Sequence, residues 1–223
     1  MTIGIKNRRT KRSIGAKTST AIDDIMGNKQ INLAYAFSNQ AYQSEADRHG
    51  YDGYEYVDDL SSKRQAVFYN KDLNKSFLAQ RGTKLDLQDL YQDAQIMTGF
   101  FGQNSIRPNE GAKTINNIRD RYKDVQITNT GHSLGGSTAN VLGKQFNMNT
   151  IAFNQGSGIT QPFKKLECYL DDPPAYCNKI HNYRIEGDPI SFLSRFNRDT
   201  TTISKPDISE LTKHSLGSFD RRP

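Results

Sequence analysis

Gly131-His132-Ser133-Leu134-Gly135-Gly136 is the stretch on which the reading of this chain turns. Just upstream, Asp124-Val125-Gln126-Ile127-Thr128-Asn129-Thr130 alternates and carries β-branched residues, the pattern of a strand. Downstream, Ala139, Leu142 and Phe146 recur at helical spacing. A Gly-x-Ser-x-Gly motif between strand and helix predicts a sharp turn with the serine at its tip, in strained backbone. Gly131 and Gly135 suit such a turn because side chains there would collide across it. The following helix points its N-terminal N–H groups at the turn, where they stabilise negative charge. The plainer alternative is a glycine-rich strand–helix turn with an ordinary serine.

Working outward, Ile31, Tyr35, Ser38 and Tyr42 predict an amphipathic helix over residues 29–43. Residues 65–69 and 75–80 read as two strands, joined by a turn at Asn70-Lys71-Asp72-Leu73-Asn74. Ile115, Ile118 and Tyr122 mark a helix over 111–123. Residues 150–154 and 179–185 read as two further strands. Strands alternating with helices predict an α/β fold: a mainly parallel central sheet covered by helices on both faces. Sites in such sheets lie beyond the carboxyl ends of the strands, where Ser133 falls.

A serine hydroxyl needs a base to take its proton, and the base needs an acid to orient it. With this turn motif the usual chain order is serine, acid, histidine. Two histidines follow Ser133. His181 sits within an expected strand, which favours a buried or half-buried structural role. His214, in Lys213-His214-Ser215-Leu216-Gly217, lies where a loop can carry it over the serine. In Arg184-Ile185-Glu186-Gly187-Asp188-Pro189, Asp188 stands just past a strand end and is the candidate acid. Glu186 lies on the strand, and Asp199 and Asp207 flank turns. His132 is expected to pack beside the turn. Two donors are needed for a developing oxyanion. The Leu134 N–H is one; Thr83, after Gln80-Arg81-Gly82, offers its N–H and hydroxyl as the second, although a simple glycine turn fits there too. No metal or organic cofactor is implied: the four histidines are scattered and no His/Cys group has zinc spacing.

The 223 residues suit one domain with a sizeable core. No apolar run reaches the length of a membrane span, and no apolar run follows the basic N-terminus, so neither a membrane anchor nor a secretory signal is read. The net charge of +6 is concentrated in residues 1–20, which carry Lys6, Arg8, Arg9, Lys11, Arg12 and Lys17 and no acid. We read residues 1–20 as a basic, disordered arm and 21–223 as a single domain. Such an arm offers charge to an anionic membrane surface, a nucleic acid or an acidic partner, or is a solvated tail. Cys168 and Cys177 bracket a turn-rich loop; a disulfide and two free thiols both fit.

Arg81-Gly82-Thr83 with the following Leu85-Asp86-Leu87-Gln88-Asp89-Leu90 resembles the oxyanion strand and lid start of class 3 (fungal-type) lipases. The hexamer at 131–136 is similar to that family's nucleophile elbow, Gly187-Asp188-Pro189-Ile190 to its aspartate segment and His214-Ser215-Leu216 to its histidine segment. The resemblance implies an α/β-hydrolase fold and hydrolysis of lipid esters, triacylglycerols or phospholipids, with Ser133, Asp188 and His214 as catalytic residues and Thr83 and Leu134 as the oxyanion hole. Residues 84–102 are the lid candidate, and a core helix with its loop is the alternative. The lysine- and asparagine-rich composition resembles lipase-like proteins of large DNA viruses; with no signal or membrane span read, the chain is expected to be intracellular or virion-associated. Two other classes remain: a catalytically silent hydrolase-fold structural or binding protein anchored by the arm, and a nucleic-acid binder, which the arm alone supports.

Overall fold

The computed structural model describes residues 18–83, 106–156, 174–192, 194, 199–205, 207–209 and 212–220. The basic segment 1–17, the lid candidate 84–102 and Cys168 lie outside the described residues.

The described strands form one sheet: β1 (Glu55–Tyr56), β2 (Gln65–Asn70), β3 (Lys75–Gln80), β4 (Gln126–His132), β5 (Asn149–Phe153), β6 (Ile180–Ile185) and β7 (Thr200–Ile203), in that spatial order. β1, β2 and β3 pair antiparallel; β3 through β7 pair parallel. The β2–β3 turn sets Asn70 opposite Lys75. Parallel pairing then sets Gln80 of β3 beside Gly131 of β4, and His132 beside Phe153 of β5. The carboxyl ends of three strands therefore finish together. This is the α/β-hydrolase arrangement expected from the sequence.

Alternation along the strands divides the core in two. Ala66, Phe68, Phe77, Ala79, Ile151 and Phe153 face helices α1 (Thr18–Gly27) and α2 (Lys29–Gln40). Val67, Leu78 and Ile127 face α3 (Ile106–Arg121) and α4 (Leu134–Phe146), which contribute Ile115, Ile118 and Leu142. Helix α2 begins at Asn28, whose side chain accepts hydrogen bonds from the N–H groups of Gln30 and Ile31. Its fully buried Phe37 stacks on Phe68 at 4.2 Å between centroids and meets Phe77 at 5.0 Å.

Several boundaries differ from the sequence reading. Helix α1 begins at Thr18, inside the segment read as arm, because Ile22 and Met26 bury against the core. Helix α3 starts at Ile106; its Pro108 sits in the first turn, where a proline costs no helical hydrogen bond. The turn expected beside Asp199 is instead β7, at the edge of the described sheet, where its three threonines fit as β-branched residues and Ile203 buries beside Ile185. Among the described residues no helix is long and apolar enough to cross a membrane, and no His/Cys/Asp/Glu group is arranged to hold a metal ion.

Phe37 joins α2 to the antiparallel strands β2 and β3. Phe37→Ala should lower unfolding free energy by about 3–5 kcal/mol, the usual cost of deleting a buried ring. Urea denaturation measures this; a loss below about 1 kcal/mol would show that the cluster repacks around the gap.

Candidate active site

Strand β4 runs straight into the turn, and Ser133 adopts φ 55, ψ −125, a left-handed conformation that a non-glycine residue rarely takes. Backbone hydrogen bonds hold it there: the Ser133 N–H donates to the Phe153 carbonyl at 3.1 Å, and the Ser133 carbonyl accepts from Ser137 and Gly156 N–H groups, each at 3.1 Å. A Cβ at Gly135 would stand 2.1 Å from the Gln80 carbonyl oxygen, so the first turn of α4 rests directly on the backbone of β3. At Gly82 a Cβ would stand 2.2 Å from the Tyr42 hydroxyl and 3.3 Å from the Ser133 Cβ. Glycine at these two positions brings the end of β3 against the serine. Arg107, in the first turn of α3, donates to the Arg81 carbonyl at 2.6 Å and braces that segment from outside.

The structure brings Ser133, His214 and Asp188 together. His214 Nε2 lies 2.8 Å from Ser133 Oγ, and His214 Nδ1 lies 3.0 Å from each Asp188 carboxylate oxygen. A carboxylate only accepts, so Nδ1 carries the proton and donates, leaving Nε2 to accept from the serine hydroxyl. All three are buried: Ser133 is 2% exposed, His214 3% and Asp188 0%. Burial pulls the Asp188 carboxyl upward, but hydrogen bonds from His214, the Ser191 hydroxyl and the Ile190 N–H outweigh it and hold the group below its ordinary value. It is therefore ionised.

Of the oxyanion candidates, Thr83 follows Gly82, whose Cβ position would lie 3.3 Å from the Ser133 Cβ, and Leu134 follows Ser133 directly in the chain. Thr83 Oγ1 is buried and has no hydrogen-bond partner. Leu134 is the first residue of α4, and the Ser133 side chain makes no capping bond to that helix. Its hydroxyl is directed to His214 instead.

His132 packs beside the turn. Its Nε2 lies 2.6 Å from the His214 carbonyl oxygen and its Nδ1 2.9 Å from the Tyr42 hydroxyl. A carbonyl must accept, so Nε2 carries the proton and Tyr42 donates to Nδ1. Burial, and then repulsion from His214, push the His132 pKa down to about 3, so the ring is neutral.

The rejected candidates stand apart. His181 lies near the amino end of β6, paired with Ile151, while the site lies at the carboxyl ends. The expectation that it is buried or half-buried is wrong: alternation between buried Ile180 and Asn182 turns it to solvent. Glu186 is exposed just past β6, two residues before buried Asp188. Asp199 precedes β7, and its carbonyl accepts from Asn182 N–H at 2.8 Å. Cys177 is disulfide-bonded, which decides the choice left open by the sequence. The sequence reading missed Tyr42 and Ser191. Tyr42 looked like one more apolar helix position, and Ser191 follows Asp188-Pro189-Ile190 with no pattern of its own.

Residues 64–161 match the family described as lipase (class 3). A putative lipase of Saccharomyces cerevisiae, ATG15, is 36% identical over 90 residues, covering 39% of this chain and 16% of the yeast protein. An uncharacterized protein of Rickettsia prowazekii is 26% identical over 168 residues, covering 72% of this chain and 43% of its own. The chain thus spans less than half the length of these curated relatives. Among solved structures, Lip2 lipase of Yarrowia lipolytica superposes with a TM-score of 0.56 at 18% identity, covering 83% of each chain, which shows a shared fold.

Neutral His132 has a consequence for stability. An unfolded histidine titrates near ~6.5, whereas the folded ring does so at about 3. Its contribution is complete above the unfolded value and declines as pH falls, because the unfolded chain then gains a proton that the native ring refuses. The decline is about 1.4 kcal/mol per pH unit, so roughly 2 kcal/mol is lost by pH 5. Urea unfolding at pH 7.5 and 5.0 should show a smaller drop in His132→Gln than in the wild type by about that amount. Equal drops in the two proteins would overturn the assignment.

Proposed function

We propose, from the match of residues 64–161 to the class 3 lipase family, that this chain is a serine hydrolase cleaving carboxylic ester bonds of lipids. The observation that carries the reading is the continuous Ser133–His214–Asp188 hydrogen-bonded chain at the carboxyl ends of the parallel strands. Ser133 Oγ attacks the ester carbonyl carbon while His214 Nε2 takes its proton. The carbonyl electron pair moves to oxygen, and the Leu134 N–H and Thr83 stabilise that oxyanion. As the intermediate collapses, the ester C–O bond breaks and the leaving alcohol takes the proton from Nε2. Water then repeats the sequence on the acyl-serine, releasing the fatty acid and restoring Ser133. Asp188 keeps the imidazole in the tautomer that leaves Nε2 free to accept, and stabilises the imidazolium that forms.

Support for the oxyanion assignment comes from the buried, unpartnered Thr83 hydroxyl. A buried donor without a partner costs about 1–3 kcal/mol, and an oxyanion in the transition state would supply that partner. The domain begins with α1, and residues 1–17 carry all six arm charges. In this reading the arm draws the enzyme to anionic lipid surfaces, each basic residue contributing on the order of 1 kcal/mol near the surface.

Ser133→Ala should abolish both hydrolysis of p-nitrophenyl esters and labelling by a fluorophosphonate probe, with the fold retained. Wild-type protein that neither reacts with the probe nor hydrolyses any ester or phospholipid would instead identify a silent member of the fold. Thr83→Val removes the hydroxyl at nearly constant size. It should lower kcat by about 10²–10³-fold with a smaller change in KM, since the bond strengthens as charge develops. Unchanged kcat would leave only backbone donors at this position.

A further inference from the structure

The loop bearing His214 and the strand leading to Asp188 meet at one buried side chain, Asn154. It stands immediately after β5, with φ 40, and is fully buried. Its own N–H donates to the Tyr183 carbonyl at 2.8 Å, the last rung of the β5–β6 ladder. Beyond that point the side chain takes over from the backbone. Asn154 Oδ1 accepts from the Ile185 N–H at 2.9 Å. Asn154 Nδ2 donates to the Lys213 carbonyl at 2.7 Å and reaches the His214 carbonyl at 3.3 Å. A carboxamide is chemically a peptide group, so this side chain acts as one more peptide unit of β5, joined to β6 on one side and to the 213–214 loop on the other.

The connections close on themselves. The Ile185 carbonyl accepts the Asp188 N–H at 3.2 Å, so the turn carrying the acid is tied to the residue whose N–H Asn154 holds. Asp188 holds the His214 ring, and Asn154 and His132 hold the His214 backbone. We infer that Asn154 is a positioning residue that fixes the separation between Asp188 and His214 by binding the backbone of both segments through a single amide. This rests on the serine-hydrolase reading above. Asparagine meets two requirements at once. It tolerates a left-handed backbone better than most residues, and it presents an acceptor and a donor in a rigid plane. An aspartate would keep the acceptor but set negative charge against two carbonyl oxygens.

Two variants and one background test this. Asn154→Gly keeps the left-handed backbone accessible and removes the amide. Asn154→Asp keeps the Ile185 contact and, ionised at pH 8, loses the donor to residues 213 and 214. On a soluble p-nitrophenyl ester each should lower kcat by about 10–100-fold with KM within about twofold, since displacing a reacting group by ~1 Å costs rate more than binding. Because Asn154 acts through His214, neither variant should lower the residual rate further in a His214→Ala background. Wild-type kcat in either single variant, or the same fold loss in both backgrounds, overturns the inference; the second result would mean general damage to the fold. Wild-type turnover in His214→Ala itself overturns the inference together with the catalytic reading on which it rests. Should Asn154→Gly not fold, Asn154→Asp decides alone.

Discussion

The arrangement rests on one backbone-to-backbone contact: the first turn of α4 lies on the end of β3, where a single methyl group at Gly135 would stand 2.1 Å from the Gln80 carbonyl. Gln80 is in register with Gly131, two residues before the serine. The pairing of β3 with β4 therefore decides where Arg81-Gly82-Thr83 lies relative to Ser133. Neither segment can shift along its strand without the other. The two proposed oxyanion donors, Thr83 after the end of β3 and Leu134 at the start of α4, are carried by these two segments, so the sheet register fixes how the segments that bear them sit beside Ser133.

Asp188, His132, Tyr42 and His214 share this small volume, and the surroundings of the first three assign them different states. Asp188 is ionised because a hydroxyl, two backbone N–H groups and an imidazole N–H all donate to it. His132 is neutral because its two partners, a carbonyl and a phenol, are both satisfied by one tautomer, and burial opposes any further proton. Burial also raises Tyr42 to about 12, which keeps its proton in place as the donor to His132. This division matters for turnover. In the proposed reaction His214 becomes positive during proton transfer, and a second positive ring with centroids only 5.0 Å away would oppose it. A neutral His132 holds the His214 backbone without competing for charge.

The elements nearest Ser133 were legible because their signals are local. Strand β4, the turn and α4 lie within about twenty residues, and β2, β3, β5 and β6 each showed short β-branched or aromatic runs. Asp188 and His214 could be named because each follows a recognisable strand end or loop in the expected chain order. The structure then joined Asp188 to His214 and His214 to Ser133. What escaped was tertiary. Tyr42 reaches His132 across 90 residues, and Asn154 reaches Lys213 across 59. No local pattern marks either partner. The outward turn of His181 was missed for the same reason: alternation gives two faces, and only the packed sheet says which one is covered.

The residues that close β4 and β5 share an unusual feature. Ser133 and Asn154 both have positive φ, 55 and 40, on adjacent parallel strands. Such backbone costs of order 1–3 kcal/mol at a non-glycine residue and survives only where the surroundings over-determine it. Here they do. The Ser133 N–H is held by the Phe153 carbonyl, the peptide immediately before Asn154, and the Asn154 N–H is held by Tyr183 on the next strand. Each strained residue is thus fixed by the neighbouring strand, and the strain turns each side chain out of the strand's alternation. Ser133 is turned to the His214 ring and Asn154 to the His214 backbone. The sheet's rigidity offsets the strain, and what it obtains is two strand ends that grip the same histidine from different sides.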